Sequence, residues 1–228
     1  MITTAAELKD TFRIEVDDLP KEDADTSSCL WSDADIYRYM NSAASLLARR
    51  VRSLFKNYTL PVLADQPMIR LPADRIYKVR RAYLTAARRD LVPLNLNDDT
   101  MRAMDYGVTL RSAHWETSTG TPTSFVLDYT PGYLRLAPIP TAADALQLFC
   151  EILPAALTAE MPLPFTDQDD LDILLLWMKK LAYEKHDADT HDLNRAKEYE
   201  RQFNARVYER EPEKRRMTRT PGTVRSSW

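Results

Sequence analysis

Glycine is scarce. The 228 residues include four, Gly107, Gly120, Gly132 and Gly222, and no two fall within a ten-residue window. A phosphate-cradling loop needs several glycines together, so that backbone N–H groups can approach the anion. The P-loop and the Rossmann fingerprint are therefore excluded. No serine stands between closely spaced glycines, which removes the nucleophile elbow as well.

Cysteine is nearly absent. Cys29 and Cys150 are too few for a disulfide scaffold or a zinc cluster, and they fit free thiols in a reducing compartment. No apolar run approaches the roughly 20 residues that a membrane span needs. The opening Met1–Asp10 lacks the basic-then-apolar layout of a secretory signal. The formal net charge is -3, so no global basic field invites nucleic acid. Internal repeats and low-complexity tracts are also missing.

What remains is a helix–sheet–helix order. Thr4 and Glu7 form a capping box for a helix over residues 1–13. Residues 14–30 are acidic and irregular, which predicts a solvated connection or an acidic surface facing a neighbour or DNA. Residues 33–56 carry Ile36, Met40, Ala43, Leu47, Val51 and Leu54 at steps of three and four, the mark of a helix with one buried stripe. Ser32 caps it, with Asp35 as box partner. Trp31 stands just before it, placed to staple its start. Arg49, Arg50 and Arg52 gather near its end, where cations suit the helix dipole.

Strand signals follow. Arg75–Leu84 is rich in Ile, Tyr and Val, and Arg89–Leu94 can pair back onto it. Asn97–Tyr106 reads as a short helix stopped near Gly107. Ser124–Tyr129 and Tyr133–Pro138 flank Pro131-Gly132, the order of a type II turn, and so form a hairpin. Ala145–Leu153 adds a strand. A helix from Thr166 or Asp167 to Lys185 is apolar around most of its circumference, which predicts burial by more than one neighbour. A second runs over Asp192–Arg210, with Leu193, Ala196, Tyr199, Phe203 and Val207 on one stripe.

The fold class expected is α+β: a terminal helical bundle with an inserted small antiparallel sheet domain and a flexible C-terminal tail. The boundaries expected are 1–66 for the N-terminal part of the bundle, 67–160 for the β-rich insertion, 161–210 for the closing helices and 211–228 for an extended basic tail. Lys214, Arg215, Arg216, Arg219 and Arg225 make the tail basic, and Trp228 ends it. An aromatic beside arginines has the composition of an interface hot spot. The same cations would also suit nucleic acid.

Two clusters invite a catalytic reading. His186, Asp187, Asp189, His191 and Asp192 are metal-ligand types, but they fall between two helices, where Asp and Thr act as caps. Asp167, Asp169, Asp170 and Asp172 fill a first helical turn, where the macrodipole favours carboxylates. Neither cluster comes with a pocket. The expectation is no catalysis, no metal and no cofactor.

The chain resembles the phage head-to-tail adaptor, connector or head-completion proteins, including the tail tubular protein A group. Trp31-Ser32-Asp33, Ile36, then Tyr39-Met40-Asn41-Ser42-Ala43 are similar to that family's opening helix. Leu71-Pro72-Ala73-Asp74 resembles its entry to the first strand. Trp115, Gly120-Thr121-Pro122 and Ser124-Phe125 follow in order, then Leu136-Ala137-Pro138-Ile139-Pro140, and Ala182-Tyr183 with Ala196 and Phe203 in the closing helices. The usual hydrophilic residue is missing at Ala43-Ala44, so no contact is carried over there. The resemblance implies a ring of subunits, commonly twelve, beneath the portal. It implies a channel for genomic DNA, a surface for tail or nozzle proteins, a place in the virion, and a C-terminal segment reaching the portal. A nucleic-acid-binding module using the basic tail is the alternative.

Overall fold

A computed structural model of the chain describes residues 2–20, 29–51, 54–94, 117–185 and 191–218, with side chains up to Glu213. The short helix expected over 97–106 lies outside them. The described chain forms two compact units. One comprises residues 1–54 and 153–228, the other residues 55–152.

The first unit is helical. Helix α1 spans Ala5–Glu15, and its capping box is formed: Thr4 Oγ1 accepts from the Glu7 N–H, and the Glu7 carboxylate accepts from the Thr4 N–H. Helix α2 spans Asp33–Val51. Ser32 Oγ accepts from the Asp35 N–H at 3.1 Å, satisfying one of the donors a helix start leaves orphaned. The stripe expected on α2 is buried through Val51, but the helix stops short of residue 56. Phe55 already begins a strand, so helix gives way to sheet well before residue 66.

Helix α3 spans Gln168–Glu184 with Asp167 as N-cap, its side chain accepting from the Asp169 N–H. Helix α4 spans Leu193–Thr218. The Asp192 carboxylate caps it by accepting from the N–H groups of Asn194 and Arg195. One core joins all four helices. It contains Leu8 and Phe12 of α1, Met40 and Leu47 of α2, Leu174 and Met178 of α3, and Phe203 and Val207 of α4. Each such side chain contributes about 1.5–3 kcal/mol through burial.

Trp31 joins this core before α2 begins. Its ring meets Phe12 and Tyr183 edge-on at 6.0 and 5.6 Å, and its Nε1–H donates to the Ala182 carbonyl. The single residue before the helix therefore ties α1, α2 and α3 together.

The second unit is a pair of facing sheets. Its strands are β1 (Phe55–Val62), β2 (Met68–Arg70), β3 (Arg75–Leu84), β4 (Arg89–Asp90), β5 (Val92–Leu94), β6 (Thr119–Gly120), β7 (Ser124–Thr130), β8 (Tyr133–Ala137), β9 (Ile139–Pro140) and β10 (Asp144–Leu153). One sheet has the order β1-β10-β3-β4, the other β2-β8-β7-β5, and β6 pairs with β9. β1 and β10 run antiparallel with Phe55 opposite Glu151 and Val62 opposite Asp144. Most pairs are antiparallel, but β5 with β7 and β6 with β9 are parallel. Leu84, Leu146 and Leu148 of one sheet share a buried cluster with Ile69, Phe125, Leu134 and Leu136 of the other.

The hairpin β7–β8 turns as its sequence dictates. Pro131 supplies the fixed φ of the second turn position, and Gly132 follows with φ +79°, the value that a type II turn demands. The architecture is α+β.

Candidate docking surface on the closing helices

Helix α4 does not end at Arg210. It continues through Pro212 to Thr218, which corrects the expectation of an extended tail from residue 211. Pro212 has no N–H to return to the Tyr208 carbonyl, yet the backbone stays helical. The reason lies one turn back, at Arg210.

Arg210 is 7% exposed. Its guanidinium donates to Asp170 at 3.1 Å and to Glu213 at 2.8 Å, pairs with Asp167, and lies 3.4 Å from Asp169. Asp170 is itself 2% exposed. Burial alone would disfavour the Arg210 cation, but Glu213, Asp170 and Asp167 outweigh this and raise its pKa above the ordinary arginine value. The aspartates in the first turn of α3 thus receive a cation from the far end of α4. The sequence reading saw these carboxylates and missed their partner. The available signal was one arginine, Arg210, falling on the apolar stripe of its helix, three residues after Val207.

A second buried cation fixes the start of the chain. Arg13 is 4% exposed. It pairs with Asp18 at 2.7 Å and Asp33 at 2.6 Å, and donates to the Trp31 carbonyl at 2.9 Å. Asp18, also buried, accepts from the Leu30 N–H at 2.6 Å. Burial pushes the Asp33 carboxyl up, but hydrogen bonds from Lys9 and Arg13 overcome this and hold it below the usual range. Residues 14–30 were expected to be solvated. Within them, Asp18 is a buried structural anchor, because a guanidinium from α1 reaches it.

Between α3 and α4 lies a half-open groove of about 700 Å³. Ile173 and Leu176 line its floor, and Lys179, Ala205, Arg206 and Glu209 line its sides. Lys179 is held by Glu15 at 2.7 Å. On α4 itself, Tyr208 is 80% exposed, the most exposed large hydrophobic residue among those described.

The predicted tail residues separate into two groups. Lys214, Arg215 and Arg216 lie on the helical backbone of α4, and Arg219, Arg225 and Trp228 lie outside the described residues. Of the two candidate metal clusters, His186, Asp187 and Asp189 lie outside them too. No group of three metal-ligating side chains occurs among the described residues. Of the α2 cluster, Arg50 is exposed, and Arg52 lies outside the described set.

In the second unit, cations gather on and after β3. Arg75, Lys78, Arg88 and Arg89 are exposed, whereas Arg80 pairs with the buried Glu151 and Arg81 with Asp90. Cys150, facing the core of this unit, has its thiol pushed up to about 11 by burial, which makes it a packing residue rather than a nucleophile.

A helical unit with an inserted β unit, charged surfaces and a closing helix fixed by ion pairs defines a structural, surface-presenting protein. The chain belongs to the SU10 adaptor protein family, whose model matches residues 3–226. It is a head-to-tail adaptor, and the family is one of structural phage proteins rather than enzymes. No curated protein matches the chain. Among solved structures, a chain from the neck of an empty GTA particle, computed with C6 symmetry, is similar at 17% identity, with a TM-score of 0.28 over 87% of this chain and 95% of that one.

Proposed function

We propose that the protein is one subunit of a connector ring that docks beneath the portal in the virion, continues the DNA channel and offers a surface to tail or nozzle proteins. The family match over residues 3–226 carries the structural role. The C-terminal segment is the portal-binding element in this reading, through Lys214, Arg215, Arg216, Arg219, Arg225 and Trp228. Arg210 supports it: a buried four-carboxylate anchor fixes the point from which these residues leave the body. An anchored base lowers the ordering cost that a docking segment meets on binding.

The test is co-sedimentation with the cognate portal. Deleting residues 219–228 leaves α4 whole and should abolish docking. Reversing Arg215 and Arg216 to Glu should weaken it and steepen its loss with salt. Undiminished docking by both variants would overturn the role of the segment.

The second reading is nucleic-acid binding. The exposed Arg75, Lys78, Arg88 and Arg89 favour it, since none has a carboxylate within 4.0 Å among the described residues. It requires duplex DNA affinity that falls linearly in log–log with salt, by a slope of about -0.9 per phosphate neutralised. A flat titration at low salt would dispose of it.

A further inference from the structure

We infer that α4 carries both halves of a head-to-tail contact between copies of this chain: Tyr208 of one copy seats in the α3–α4 groove of the next. This rests on the ring reading and names its contact.

Two patches on one helix support it. At about 100° per residue, Asn204 and Tyr208 lie on one flank of the buried Phe203–Val207 stripe, and Gln202, Arg206 and Glu209 lie on the other. The first flank carries an aromatic side chain that is 80% exposed. Burial of such a ring dominates interface energetics, and its hydroxyl needs a partner. The second flank borders a groove of about 700 Å³ with an apolar floor, ample for one aromatic side chain.

The chemistry also fits. On the groove, Asp172 accepts only from Gln168 at 2.8 Å, and neither Asp172 nor Glu209 has a cation within salt-bridge distance among the described residues. Both can accept from a tyrosine hydroxyl.

The level fits as well. Arg210 pairs with Asp170, so Tyr208 and Asp172, each two residues away along antiparallel neighbours, stand at one height. A protrusion and a hollow at the same height on opposite flanks match copies displaced sideways. An isologous contact needs one self-complementary patch, whereas two different patches generate a heterologous series, which closes when its rotation allows.

Buried ion pairs hold both patches in place. Arg210 fixes α4 to α3 two residues from Tyr208, and Lys179 ties the groove wall to Glu15 of α1. Neither patch must be ordered at the moment of contact.

The experiment uses the full chain and sedimentation velocity across a concentration series. Tyr208→Glu removes the protrusion and leaves the groove. Ala205→Trp fills the groove and leaves the protrusion. Each variant alone should self-associate at least tenfold more weakly than the unaltered chain. Mixed in equal amounts, they should form one-to-one pairs and stop, because one working contact remains per pair. Circular dichroism monitors folding, and Tyr208→Ser replaces the glutamate variant if that one melts early. Unaltered association of either variant, or no pairing in the mixture, overturns the contact. An unaltered chain that stays monomeric at every soluble concentration also overturns it. In that case portal co-sedimentation still decides the adaptor reading separately.

Discussion

Arg210 and Asp170 form a buried ion pair 3.1 Å apart, across forty residues of sequence. Neither is a surface charge that happens to meet another. Removing the cation strands a carboxylate that is 2% exposed. Arg210→Met should therefore destabilise the fold by about 3–5 kcal/mol, the usual cost of breaking a buried pair from one side. Glu213→Ala, which removes the most solvated partner but one, should cost under about 1 kcal/mol. Urea unfolding of both variants checks this. Equal effects would show that the pair acts as a surface bridge.

Arg13 and Asp18 make the same argument at the other end of the helical unit. Arg13→Met should cost about 3 kcal/mol, with Asp18 left buried and unpaired. For a chain of this size that lowers Tm by roughly 6–12 °C. Arg13→Met combined with Asp18→Leu should recover part of the loss, since the stranded charge is gone. Calorimetry of the two variants measures both. A double variant less stable than the single one would contradict the explanation.

Trp31 should be the costliest single aromatic to truncate. Trp31→Ala removes two edge-on ring contacts and the hydrogen bond to Ala182, and leaves a cavity in the core. Its expected cost is about 3–5 kcal/mol. Trp31→Phe keeps most of the volume and should cost well under half of that. Denaturant midpoints at constant m-value give the comparison.

Acid should weaken the β unit through Asp144. Burial pushes this carboxyl up, but hydrogen bonds from the N–H groups of Ala86, Ala87 and Ala145 outweigh it, so its pKa is lowered. A lowered folded-state pKa gives stability that is present above the unfolded value of about 3.9 and is lost as pH falls through the folded one. Stability should therefore decline below about pH 4, and Asp144→Asn should flatten that decline. Carboxyl NMR titration checks the cause directly. A midpoint for Asp144 at or above the free aspartate value would rule it out.

Local order was legible wherever one turn of chain carries its own signal. The capping box of Thr4 and Glu7, the Ser32 cap, the α2 stripe and the Pro131-Gly132 turn each satisfy backbone groups or φ requirements within a few residues. Sequence alone therefore determined four helices' cores, the β7–β8 hairpin, the α+β class and the family likeness. The end of α2, the path of α4 through Pro212 and the fate of Asp18, Asp170, Arg13 and Arg210 were decided by tertiary structure. A stripe pattern continues past Val51 in sequence, but Phe55 finds Glu151 opposite it in β10, and sheet pairing wins. A proline favours a helix stop, but Arg210 fixes the preceding turn to α3 from outside the helix. A buried charge is stable only with a partner supplied by another element, and no local pattern encodes which element that is. The candidate docking surface depends on those pairings, and so only the folded chain reveals it.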